Sequence, residues 1–328
     1  MSDAPDAPNP ATKKRRGALR RQEFEALALA KREELMAQVA VTRAHIDATN
    51  EKIEARTGRN LPLAILLGLA LGICMLLSLV VVKALFMVVA AALMVFTALE
   101  LASALRFSGR DIPRIPTVIT AVVVVPAAFY LQDAGKWLVF LGSLTFVAVW
   151  RAVEQLSASR RTNAVELWKD LGAGTLVQAY VPFLGGFAVL LTAKPGGEWW
   201  TLAFLVLVIA TDTGAYASGL LFGKHPMAPR ISPKKTWEGF AGSALVALLG
   251  GAVLAVFMLD EPVWVGLIFG ATILITATIG DLTESLIKRD LGIKDISTWL
   301  PGHGGFLDRL DSVLPSAVAA YALYLIFA

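Results

Sequence analysis

From Leu61 to the C-terminus the chain alternates long apolar runs with short polar breaks. A helix rises 1.5 Å per residue, so about 20 apolar residues cross a hydrocarbon core. Nine runs approach that length: 61–82, 84–105, 114–132, 136–153, 172–193, 199–221, 239–258, 262–280 and 312–328. Pro113, Pro116 and Pro126 interrupt the third, and Arg151 closes the fourth. The pattern predicts an all-α, polytopic integral membrane protein with about nine transmembrane helices. Composition agrees: 56% of the 328 residues are hydrophobic and the mean hydropathy is +0.64, well above a globular average.

The basic residues orient these helices. With the N-terminus inside, the outer loops hold only Lys83, Lys136 and Lys194, whereas the inner loops hold fifteen of the thirty Lys and Arg. That bias follows the positive-inside rule and predicts a cytoplasmic N-terminus in a cell (inner or plasma) membrane. Residues 1–60 read as a cytoplasmic tail without a cleavable leader. Its Pro/Ala/Asp-rich start and the basic run Lys13–Arg16 suit a disordered segment, either solvated or leaning on anionic lipid. Residues 18–58 lack Pro and Gly before Gly58 and read as a helix, with Phe24, Ala28, Leu35, Val39, Thr42, Ile46 and Ile53 near one stripe that suits dimer contact. Two membrane regions follow, 61–198 and 199–328. A net charge of +4 gives no sign of a nucleic-acid partner, and the lone Cys74 can form no disulfide within the chain.

Chemistry concentrates after Trp199. Before it, Glu100 is the only acid well inside a run, and it reads either as a functional carboxylate or as a structural acid near Arg106. The first cluster, Asp212-Thr213-Gly214-Ala215-Tyr216, places a carboxylate inside the sixth run, where it must be paired or face water. The second, Ser232-Pro233-Lys234-Lys235-Thr236-Trp237-Glu238-Gly239, sets two cations before a helix start that Thr236 can cap and whose free N–H groups suit an anion. The third opens with Gly280-Asp281-Leu282-Thr283-Glu284-Ser285, Lys288 and Arg289; on a helix 281, 284, 285 and 288 share a face. Lys294-Asp295 and Pro301-Gly302-His303-Gly304-Gly305-Phe306-Leu307-Asp308-Arg309-Leu310-Asp311 complete it. Cations neutralise phosphate oxygens, carboxylates hold a hard cation, and glycines let backbone N–H groups approach an anion. Mg²⁺ takes one or two carboxylates plus phosphate oxygens, which points to Asp281 and Asp308, with Asp311 or Asp295 in support.

The run from Ser285 to Asp311 resembles the signature of the phosphatidate cytidylyltransferases (CDP-diacylglycerol synthases), and Ser232–Gly239 is similar to a second stretch of that family. The resemblance covers residues 200–328. It implies the reaction CTP + phosphatidate → CDP-diacylglycerol + pyrophosphate, Mg²⁺ dependence, the lipid bilayer as setting, and a homodimer; it leaves open a second, monovalent cation. It assigns Lys234 and Lys235 to the CTP phosphates. The expected catalytic residues are then Asp281, Lys288, Arg289 and Asp308. Asp212, Ser232, Lys234, Lys235, Ser285, Lys294, His303 and Arg309 are expected to bind substrate, and Asp281, Asp308 and Asp311 the metal. His303 is read as a phosphate donor or turn-orienting residue, since an ionised phosphatidate hardly needs a base. Two alternatives remain at this point: a CTP-dependent lipid kinase acting on a polyprenol or phytol, which would need a general base, and a transporter built around Asp212.

Overall fold

The computed structural model describes Lys31, Met36 and residues 61–158, 160–297, 299 and 304–328. The disordered start, nearly all of the tail helix with its dimer face, and His303 lie outside the described residues. Contacts divide the chain into Met1–Ile65 and Leu66–Ala328, and the architecture below is that of the second part.

A helix forms over each of the nine apolar runs: α1 (Leu61–Val80), α2 (Lys83–Phe107), α3 (Arg114–Tyr130), α4 (Gln132–Glu154), α5 (Ala164–Ala193), α6 (Gly197–Phe222), α7 (Trp237–Leu259), α8 (Val263–Asp290) and α9 (Leu307–Phe327). Seven of them, α2 and α4 to α9, are long and apolar enough to cross a bilayer, while α3 is a shorter apolar helix carrying Pro126. Large apolar side chains such as Leu138, Ile209, Leu220 and Phe257 point outward, as a lipid solvent allows. The predicted all-helical class holds with one addition among the described residues: a two-stranded antiparallel hairpin, β1 (Pro226–Ala228) and β2 (Ser232–Thr236), between α6 and α7.

Helix ends depart from the hydropathy pattern where charges pair. Helix α5 starts at Ala164, eight residues before the predicted run, because the Asn163 side chain caps it by accepting the Glu166 N–H. Its Asp170 is then buried against Arg151 of α4, whose Nη2 lies 2.9 Å from Asp170 Oδ2. Helix α8 runs ten residues past its predicted end, carrying Asp281 to Asp290 on regular backbone. Lys136, expected in an outer loop, lies inside α4. It is fully buried, with Nζ 3.3 Å and 3.8 Å from the ring centroids of Phe187 and Phe183. The aromatic faces attract the ammonium and permit its enclosure.

The partners of the remaining charges agree with alternate crossing. At one end Lys83 meets Glu198 and Lys194 meets Asp133; at the other Arg110 meets Glu166 and Lys235 meets Asp281. Helices α7 and α8 touch backbone to backbone: a Cβ on Gly251 would overlap the Gly266 carbonyl, and one on Gly270 the Ala247 carbonyl. Small residues are how membrane helices approach this closely.

Candidate active site

Four helix ends meet at one side of the bundle. The C-terminal parts of α6 and α8 arrive there, and the N-terminal turns of α7 and α9 leave from it. Between them lies a cavity of about 570 Å³, lined by five carboxylates (Asp212, Asp281, Glu284, Asp308, Asp311) and four cations (Lys234, Lys235, Lys288, Arg309). Tyr216, Leu220, Met227 and Phe240 give it an apolar flank, and Tyr216 and Leu220 are themselves largely exposed. A polar chamber with a greasy side suits a ligand that is charged at one end and lipid at the other.

Each lining group is placed by a local device. Thr236 caps α7 by accepting the Gly239 N–H at 3.1 Å, which holds Lys234 and Lys235 at the helix entrance. Glu238 accepts the N–H groups of Lys224 and His225 at 3.1 Å and 3.2 Å and meets the His225 ring at 2.5 Å, clasping the base of the hairpin. Lys235 crosses to Asp281 of α8, 2.6 Å away. Gly280 lets α8 press on α9: a Cβ there would overlap the Asp311 carbonyl. About two turns along α8, Lys288 lies between two acids, 2.5 Å from Glu284 Oε2 and 3.0 Å from Asp308 Oδ1. The second oxygen of Asp308 accepts the Gly305 N–H at 2.7 Å. Asp311 is buried, and its Oδ1 accepts the Ser312 N–H at 2.7 Å.

Of the residues singled out in the sequence, Asp212, Lys234, Lys235, Asp281, Lys288, Asp308, Arg309 and Asp311 all line this cavity. Five others do not. Ser232 opens β2, away from the lining. Ser285 stands behind Asp281, its Oγ donating to Oδ1 across 3.5 Å. Lys294 and Asp295 are exposed beyond the end of α8, so Asp295 does not support the metal as expected. Arg289 donates Nε–H to the Ile231 carbonyl at 3.2 Å, so it ties the hairpin tip to α8 and does not enter the cavity. Glu284, placed by its spacing on one face with Asp281 and Lys288 but given no role from the sequence, is the lining residue missing from the expected set.

The donor set bears on a metal. Asp212, Asp281 and Asp311 lie within Coulombic reach of one another, with Lys235 as a common counter-ion. Glu284 Oε1 is buried without a hydrogen-bond partner. Crowded carboxylates and an orphaned carboxylate oxygen are what a hard divalent cation relieves, so the residues fit one. Among the described residues no three acids or histidines already stand in coordinating geometry, because lysines occupy Asp281 and Asp308.

The chain is similar to proteins that handle such a ligand. Residues 63–327 match the Cytidylyltransferase family. The phosphatidate cytidylyltransferase of Mycobacterium tuberculosis (strain ATCC 25618 / H37Rv) is 38% identical over 272 residues, covering 81% of this chain and 83% of that protein. Those of Mycobacterium leprae and Pseudomonas aeruginosa are 37% identical over 276 residues and 35% identical over 219. They cover 82% and 65% of this chain, and 88% and 77% of their own lengths. With that coverage, and with its charged clusters gathered in one cavity, the chain belongs to the cytidylyltransferase family.

Proposed function

We propose that the protein is a phosphatidate cytidylyltransferase, converting CTP and phosphatidate to CDP-diacylglycerol and pyrophosphate. The observation that carries this reading is the single cavity in which five carboxylates and four cations face each other beside an apolar flank. A phosphate oxygen of phosphatidate attacks the α-phosphorus of CTP. A P–O bond forms there as the bond to the β-phosphate bridging oxygen breaks, and the electron pair leaves with pyrophosphate. The attacking oxygen is already ionised, so the step asks for positioning and charge neutralisation more than for a base. Lys234 and Lys235 at the α7 entrance take the triphosphate, with the free N–H groups of that helix behind them. Lys288 and Arg309 face the lipid phosphate, and Tyr216, Leu220 and Phe240 take the adjoining glyceride. Asp281, Asp308 and Asp311 would hold Mg²⁺, which supplies positive charge to the phosphates when bound. Region 199–328 is thus the catalytic part, facing the cytoplasm where CTP is found, and the assembly proposed from the family resemblance is a homodimer.

The test supplies purified protein with phosphatidate and CTP labelled at either the α- or the γ-phosphate. Label passing to lipid only from the α-position is the expected result. Transfer from the γ-position, or to a polyprenol, would make it a kinase, and no CTP-dependent pyrophosphate release at all would return the transporter reading.

A further inference from the structure

Glu100 is buried in the middle of the fold, yet no cation holds it among the described partners. Arg106, the neighbour suggested by sequence, pairs instead with Asp111 at 2.9 Å and donates to the Ile112 carbonyl at 2.8 Å. The Glu100 carboxylate is turned toward the segment that leads into α9. Oε2 accepts the Leu307 N–H at 2.7 Å, the Phe306 N–H is a further donor, and Oε1 accepts the Ser297 hydroxyl. Gly305 lies so close that a Cβ there would overlap the carboxylate. One turn back on α2, Phe96 stacks on Phe306 with ring centroids 5.0 Å apart and meets Trp299 edge-on at 6.2 Å.

Two acids therefore grip three successive amides. Asp308 accepts from Gly305, and Glu100 accepts from Phe306 and Leu307. The first turn of α9 would otherwise present these N–H groups unsatisfied in a water-poor setting, at a cost of about 1–3 kcal/mol each. Asp308 is the second residue of α9, and its orientation toward Lys288 follows from where the Gly304-Gly305-Phe306 turn is pinned. Gly304 has φ +81°, a left-handed conformation that leaves few alternative paths for the chain there. Ordering a carboxylate ligand through a rigid outer partner is a known way to tune a site.

We propose that Glu100, with Phe96 beneath it, is a positioning residue for the nucleotidyl-transfer site: it sets the 304–308 turn so that Asp308 reaches the cavity. The role is exerted from the N-terminal half of the bundle, outside every charged cluster visible in the sequence. It rests on the function proposed above, and the experiment separates the two.

Full-length wild type, Glu100→Ala and Glu100→Gln are compared in nanodiscs. Amide hydrogen exchange across 297–312 is followed first, without substrate. Glu100→Ala is expected to speed exchange at 305–308 about tenfold, as loss of hydrogen bonds to a charged acceptor implies, with α6 and α7 unchanged. Turnover is then measured per folded molecule. Glu100→Ala is expected to lower kcat at least tenfold and to raise the Mg²⁺ concentration for half-activation, with KM for CTP within threefold. Glu100→Gln keeps one acceptor oxygen and should fall between alanine and wild type on each measure. A purely structural acid would instead lower the folded fraction while leaving kcat and the Mg²⁺ dependence of folded protein intact, and that result overturns the proposal. So does wild-type exchange at 305–308 in Glu100→Ala. If the alanine variant does not fold, Glu100→Gln decides by the same criteria. An inactive wild type that still shows the local exchange change would refute the proposed reaction while upholding the clamp.

Discussion

Lys288 offers a perturbation whose consequences for stability and for turnover can be separated. Its ammonium is 2.5 Å from Glu284 and 3.0 Å from Asp308. The Glu284 side chain is only 2% exposed, and its other oxygen has no partner. Lys288→Met removes the one cation that the structure gives Glu284, leaving an unpaired carboxylate in a dry environment. Breaking a buried pair in this way costs about 3–5 kcal/mol. The lower figure applies because the lysine side chain is 19% exposed and water can partly replace it. For a domain of this size, roughly 3 kcal/mol corresponds to several degrees in Tm. Adding Glu284→Gln removes the stranded charge, so the double variant should regain most of the lost Tm. Turnover should not follow, because the cation proposed to face the lipid phosphate is still missing; loss of one charge-assisted contact to a transferring phosphate is worth about 10²-fold or more. The assay pairs a thermal melt in detergent with labelled-CTP turnover on the single and double variants. Recovery of activity along with stability in the double variant would show that Lys288 serves only as the counter-ion of Glu284, and the phosphate role would be withdrawn.

Other substitutions follow from the same structure. Gly280→Val would drive a side chain into the Asp311 carbonyl and the Pro315 ring. Turnover should fall about tenfold or more as Asp311 shifts, with the loss read as kcat at saturating CTP. Arg151→Met strands Asp170, which has 3% side-chain exposure. It should cost about 3–5 kcal/mol in a melt, while the folded remainder keeps its KM for CTP. Lys136→Met replaces an enclosed ammonium that has no hydrogen-bond partner with an apolar chain of similar length. The change sets a lost cation–π attraction of about 2 kcal/mol against relief of a buried charge. Tm should stay level or rise, and a drop of more than a few degrees would mean that the aromatic cage outweighs burial.

Much of the fold could be read from hydropathy because a bilayer leaves the backbone little choice: in hydrocarbon it forms helices or a closed barrel, and apolar runs of about 20 residues select helices. The errors fall where charge is tolerated inside helices. Asn163 caps α5 eight residues early and Arg151 neutralises the Asp170 that this start brings into the helix, while Lys136 is enclosed by rings that contribute only apolar signal to a hydropathy window. In the site, most of the motif residues that converge lie on regular helix, where spacing translates into direction, while Lys234 and Lys235 come from β2 just before the Thr236 cap. Arg289 shows the limit. It adjoins Lys288 in sequence, but one step along a helix turns a side chain by about 100°, which takes it to the hairpin backbone. Glu100 could be noticed as an acid inside a run, but its partners lie about two hundred positions downstream, and no local pattern announces them.

The separation of 207 residues between Glu100 and Leu307 has a consequence for biogenesis. During synthesis α2 enters the membrane long before the ribosome reaches α9, so until then this carboxylate lacks the amides that will satisfy it. Its final partners, the Ser297 hydroxyl and the Phe306 and Leu307 amides, all come from the stretch between the end of α8 and the start of α9. A product terminated before residue 297 therefore carries an uncompensated acid within α2.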